Sequence, residues 1–208
     1  MNYEILSAFA FATAALAFTP GPDNIYVLTQ GVVNGRKYGL ATTAGLISGC
    51  LVHTTLLAFG VSLIIKESES LFFAIKLLGA IYLLYLAYKV YKEGDVINLN
   101  SSALPKRSLW QLFRQGFIMN VLNPKVTIFF LAFFPAFLFS KTMSTVWQFY
   151  ILGFLFMLVS LIIFSAIAIM AGSISSYLRS HKSVGKWLKW VQILVFVGIA
   201  AFLLISDN

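Results

Sequence analysis

Six apolar runs, each long enough to cross a bilayer, constrain this chain more than any other feature. They lie at roughly 4–33, 40–65, 70–91, 112–139, 145–172 and 187–205. About 20 apolar residues of helix cover a ~30 Å hydrocarbon layer. Backbone amides and carbonyls find no water there, so each run must bond internally as a helix, and the alternation of barrel strands is missing. Only 11% of the residues are charged, against about 25% in an ordinary soluble domain. The sequence therefore predicts an all-α polytopic membrane protein with one transmembrane domain over 1–208. The start of the chain lacks the basic segment and small-residue cleavage site of a signal peptide, so the first run is expected to be mature structure.

The loops between the runs set the expected orientation. Loop 1–2 carries Arg36 and Lys37; loop 3–4 carries Lys89, Lys92, Lys106 and Arg107, with Arg114 just after. Loop 5–6 carries Arg179, Lys182, Lys186 and Lys189, while the opposite side has only Lys66 and Lys141. That is eleven basic residues against two, which puts these three loops in the cytoplasm and both termini outside. The net charge of +8 is thereby a matter of orientation, and no nucleic-acid partner is expected. Cys50 is the single cysteine, so an internal disulfide, a CxxC redox pair and a cysteine metal cage are excluded. No cofactor or metal is expected.

Two of the runs are interrupted. Thr19-Pro20-Gly21-Pro22-Asp23-Asn24 falls inside the first, and Asn123-Pro124-Lys125 inside the fourth. Proline lacks the amide donor and its ring clashes with the preceding turn, so neither helix continues unbroken. The polar stretch Gly94, Asp95, Asn98, Asn100, Ser101, Ser102 and Pro105 divides the chain into halves of three runs, about 1–93 and about 109–208, joined by a linker at about 94–108. An odd number of spans per half turns the halves in opposite directions, the arrangement of inverted-repeat transporters. Each half then opens with a proline-broken helix, numbers 1 and 4 of six. Helix from 4 to 18 spans about 22 Å, and helix from 125 to 139 about the same. Both breaks thus lie at similar depth and can meet.

The breaks have complementary chemistry. Asn123-Pro124 reads as an N-cap followed by a first-turn proline, and Thr19-Pro20 or Pro22-Asp23 can restart the first helix similarly. A helix restarted inside the membrane points unbonded amides and the positive end of its dipole into the site, which suits a carboxylate. Asp23 is costly in hydrocarbon unless sheltered, and it can hold an ammonium. Lys125 occupies the corresponding position in the other half. Free amides, one acid and one base match a zwitterion. Thr19, Pro20, Gly21, Pro22, Asp23, Asn24, Asn123, Pro124 and Lys125 are the expected substrate-binding residues. The plainer alternatives are simple proline kinks and an Asp23–Lys125 bridge that never touches substrate.

His53, within the second run, can relay protons with Asp23 or serve as a packed, hydrogen-bonded histidine. Lys76 either snorkels outward or competes with Lys125 for Asp23. Ala41, Gly45 and Gly49 form a small-residue stripe that fits either an internal helix contact or a homodimer face. Tyr82, Tyr85, Tyr88, Phe129, Phe130, Phe133 and Phe134 are expected to face lipid or to pack, and His181 to be solvated. An intramembrane enzyme would need paired aspartates, a serine with a basic partner or metal-binding histidines, which this chain lacks. An exporter of another small metabolite or inorganic ion is the nearer rival, though few carboxylates, histidines or thiols converge for a cation. A non-transporting assembly subunit would have no need of sheltered charges.

Pro20-Gly21-Pro22-Asp23-Asn24, Lys76-Leu77-Leu78-Gly79-Ala80-Ile81-Tyr82-Leu83 and Asn123-Pro124-Lys125-Val126, in this order, resemble the hallmark segments of the LysE/RhtB family. These are the lysine exporter and homoserine/threonine resistance translocators of bacteria. The resemblance covers essentially the whole chain. It implies secondary export of amino acids or close derivatives across the cytoplasmic (inner) membrane, driven by the proton gradient. Because the spans contain no second acid for a basic side chain, neutral substrates are favoured.

Overall fold

The computed structural model describes residues 2–62, 69–92 and 107–205. Lys66, Lys106 and the polar stretch from Gly94 to Pro105 lie outside the described residues. All regular structure within them is helical. The first interrupted run forms α1 (Tyr3–Phe18) and α2 (Pro22–Val33), and the second run forms α3 (Arg36–Leu56), which continues through a π-helical turn (Leu57–Val61). The third is α4 (Glu69–Lys92). The fourth is α5 (Leu109–Val121) and α6 (Pro124–Ile128), extended by a π-helical turn (Phe129–Phe133) and a 3-10 turn (Phe134–Phe137). The remainder is α7 (Thr145–Ile169), α8 (Ala171–Ser180) and α9 (Lys182–Ile205).

Four helices are long and apolar enough to cross a membrane unaided, and the two bent pairs bring the number to six if each pair is one span. The first pair bends by 61° and the second by 50°, both at the prolines. The first break is shorter than expected: it covers 19–21, and Pro22, Asp23 and Asn24 already lie in the first turn of α2. The fourth run starts earlier, at Leu109, because Ser108 and Gln111 close a capping box there, with bonds of 3.2 and 2.8 Å. Loop 5–6, expected to be a basic loop, is largely helical. The chain turns at Met170, and α8 buries Ala171 and Ser175 on one side. The last helix begins at Lys182 rather than near 187.

The centre of the bundle is α3, which packs on α2, α5 and α7. Its contact with α5 is backbone on backbone. A Cβ added at Gly45 would stand 2.0 Å from the Phe113 carbonyl oxygen, and one at Gly116 would stand 2.4 Å from that of Thr42. The small-residue stripe is therefore an internal contact, spent on joining the second run to the fourth. Lipid is as apolar as leucine, so helices gain little by hiding from it and associate through close packing instead. Glycine permits that here. Gly31 meets Ala171 and Ala168 in the same way, bringing α2 against α7 and α8.

A cluster of phenylalanines fills the other end. Phe9 meets Phe134 edge-on at 4.9 Å, and Phe156 lies 5.0 Å from Phe130 and 5.8 Å from Phe134. Phe129, Phe130, Phe133 and Phe134 are fully buried packing residues, while Tyr85 and Tyr88 are exposed. Gln148 seals the chain beyond the cluster: its Oε1 accepts from the amides of Phe139 and Ser140, and its Nε2 donates to the carbonyls of Ser140 and Met143.

Candidate functional site

The two breaks meet. Asn123 Nδ2 donates to Asp23 Oδ2 at 2.9 Å, across 100 residues of chain. A Cβ at Gly21 would lie 3.6 Å from Lys125 Nζ, so the amine of one break stands against the backbone of the other. Asp23 is buried, at 8% exposure. The Lys125 charge acts on it electrostatically, but no ion pair closer than 4.0 Å joins the two. Asp23 is thus held by a hydrogen bond from the Asn123 side-chain amide and not by a direct bridge, with Lys125 Nζ placed 5.2 Å from the Phe196 ring centroid.

Each break is built by its own sequence. Proline at 124 removes the amide that would have bonded the Asn120 carbonyl. Asn123 is extended there and its side chain accepts from the Lys125 amide at 3.0 Å, capping α6 as the Asn-Pro pair predicts. The amides of α6 are therefore satisfied, contrary to the expectation of free donors at both breaks. Free donors occur at α2. Gly21 offers no side-chain cap, and among the described residues the Asp23 and Asn24 amides have no partner. Asn24 instead turns its own side chain back, donating to the Ala17 carbonyl at 2.7 Å. Thr19 does likewise, its hydroxyl donating to Ala15 at 2.8 Å. The Asn24 bond satisfies the carbonyl that Gly21 leaves behind, while the Thr19 hydroxyl adds a second donor to the Ala15 carbonyl, which the Thr19 amide already bonds.

His53 is buried, and its Nε2 lies 3.1 Å from the Asn120 carbonyl oxygen. A carbonyl only accepts, so this nitrogen carries the proton. The same oxygen accepts from the Asn123 amide at 3.0 Å. His53 thus occupies the acceptor freed by Pro124 and reaches the second break, not Asp23. Asn120 was not among the residues expected at the site. Gly49 makes room for it, since a Cβ there would come within 2.7 Å of Asn120 Oδ1, and Cys50 Sγ lies 3.7 Å from the same oxygen. The only sequence signal was a second asparagine three residues before Asn123. Lys76 is buried with its Nζ 5.9 Å from the Phe72 ring centroid. His181 is exposed and stacks on Tyr177 at 4.4 Å. No group of three metal-binding side chains occurs among the described residues.

A site of this form, with one buried carboxylate, unbonded helix amides and an amine between two broken helices, is what a carrier of small charged solutes needs. Comparison with known proteins settles the family. Residues 14–207 match the LysE type translocator family. The chain belongs to that family. It is accordingly a multi-pass protein of the bacterial cytoplasmic membrane. The chain is similar to a leucine efflux protein of Klebsiella pneumoniae, 30% identical over 96% of this chain and 95% of its own length. A homoserine/homoserine lactone efflux protein of Salmonella typhimurium is 27% identical over 88% of each chain. No solved structure matches.

Proposed function

We propose that this LysE-type translocator exports neutral amino acids or close derivatives from the cytoplasm, exchanging them for protons at the paired breaks. The observation that carries this reading is the 2.9 Å bond from Asn123 to Asp23, which joins the two interrupted helices around one carboxylate. The efflux activities named for its relatives, one on leucine and one on homoserine and its lactone, support the substrate class.

In this reading the substrate's ammonium takes the place of Asn123 on Asp23. Its carboxylate accepts from the unbonded Asp23 and Asn24 amides at the positive end of α2. Lys125 balances Asp23 when the site is empty. A proton arriving from outside neutralises Asp23 and weakens its hold on the ammonium, so proton entry and substrate release are linked. His53 holds the second break through Asn120. The halves 1–93 and 109–208 rock as inverted repeats about this fixed site, with loops 1–2, 3–4 and 5–6 in the cytoplasm. The test is uptake of labelled neutral amino acids into inverted membrane vesicles. Uptake that rises with an imposed proton gradient and collapses with it supports the exchange; uptake indifferent to the gradient refutes it.

A further inference from the structure

Buried hydroxyls on helices ordinarily bond the carbonyl one turn back. Thr19, Thr42, Thr43 and Thr54 all do so here, at 2.8–3.0 Å. Thr13 and Ser160 do not. Their hydroxyl oxygens are fully buried, the residues at 0% and 2% exposure, and neither has a hydrogen-bond partner among the described residues. A third such hydroxyl, Ser62, borders residues outside the described set. An unpaired buried hydroxyl costs stability without return unless some state of the protein pairs it.

Their position says which state. Both α1 and α7 run antiparallel to the segment leading from Pro124 to Phe139. At one end the Asn2 amide donates to the Phe139 carbonyl and Gln148 bonds the Phe139 amide. Further along, Phe9 and Phe156 both touch Phe134, and at the far end Asp23 meets Asn123. Thr13 follows Phe9 by four residues and Ser160 follows Phe156 by four, one helical turn on the same face. α1 and α7 pack together. Both hydroxyls therefore lie on the break side of the phenylalanine cluster, with Ser160 nearer Asn123 than Thr13 because Phe156 is closest to Phe130 and Phe9 to Phe134. In the exporter reading above, this is the layer that the side chain of a substrate held at the breaks by its ammonium and carboxylate would enter.

We infer that Thr13 and Ser160 contact the substrate side chain and select for an uncharged hydrogen-bonding group over an aliphatic one of the same size. The inference rests on the exporter reading above and refines it. An aliphatic side chain leaves both hydroxyls unpaired in the bound state, whereas a hydroxyl-bearing one pairs them. Each bond formed favours the polar substrate by about tenfold.

Threonine and valine have the same shape and differ only by hydroxyl against methyl, so they form the probe pair. Their uptake into inverted vesicles is compared for the wild type, Thr13→Val and Ser160→Ala. The wild type is expected to take up threonine at least about tenfold more efficiently than valine. Each variant brings the ratio down by about tenfold through loss of threonine uptake, with valine uptake held or raised. Because neither hydroxyl has a partner among the described residues to lose, both variants keep or raise the thermal midpoint. Equal uptake of the two by the wild type, or a ratio unmoved in both variants, overturns the inference and leaves the exporter reading standing. A clear drop in thermal midpoint overturns it too, by showing that the hydroxyls have a structural task. Uptake of neither amino acid by the wild type removes the exporter reading and this one with it.

Discussion

Replacing Gly45 by alanine tests the joint between the second and fourth runs. The new Cβ would stand 2.0 Å from the Phe113 carbonyl oxygen, 2.8 Å from its carbon and 2.9 Å from the Phe117 amide nitrogen. Ordinary contact begins at 3.4 Å, so the shortfall against the oxygen is 1.4 Å. All three atoms are backbone, so no side chain can swing away, and α5 must move as a body. Overpacking of this kind costs about 1–3 kcal/mol. The displacement also reaches the site, because α5 carries Asn120 and leads directly to Asn123. A bond of 2.9 Å to Asp23 does not survive a shift of that size without rearrangement. The thermal midpoint of purified Gly45→Ala should fall, and its transport should fall further than its stability explains. Gly198→Ala is the control: nothing lies within 4 Å of that position, and alanine gains about 1 kcal/mol over glycine in a helix. If Gly45→Ala proves as stable as Gly198→Ala, α3 and α5 are not in backbone contact. If its defect appears only on self-association, the stripe is a dimer face and the packing described here is wrong.

Asn123 has two tasks that can be separated. Asn123→Ala removes the cap of α6, at about 0.5–2 kcal/mol, and the donor to Asp23; Asn123→Ser restores the cap but does not reach Asp23. Stability measured by thermal unfolding should recover in the serine variant while vesicle transport stays low, and recovery of both would take the Asp23 bond out of the mechanism. His53→Gln keeps a donor for the Asn120 carbonyl but has no titratable ring, so transport should persist; His53→Leu leaves that acceptor short of a partner and should lose about 1 kcal/mol of stability. Abolished transport in His53→Gln with an intact fold would instead make His53 part of the proton path.

What the sequence revealed follows from which interactions are local. The apolar runs, the proline breaks and the Asn123 cap are written in consecutive residues, and the structure has them nearly where expected. The boundaries that moved, at Leu109, Met170 and Lys182, depend on capping and on a half-buried helix that no apolar run announces. Whether Gly45 and Gly49 faced a neighbour or a second copy could not be read from spacing, because a small-residue stripe permits close approach without naming its partner. Asn120 carries no local signal for the same reason: its value comes from His53, Cys50 and Gly49, some 70 residues distant in sequence. Thr13 and Ser160 look like any helical hydroxyl until the missing bonds are seen.

Asp23→Asn gives the most direct measurement. Asparagine retains an oxygen that can accept from Asn123, so the meeting of the breaks is preserved and only the charge is lost. In inverted vesicles with normal amounts of inserted protein, proton-driven uptake of neutral amino acids should vanish. Uptake at the wild-type rate, still following the imposed gradient, would mean that the carboxylate between the broken helices neither binds the substrate nor carries the proton.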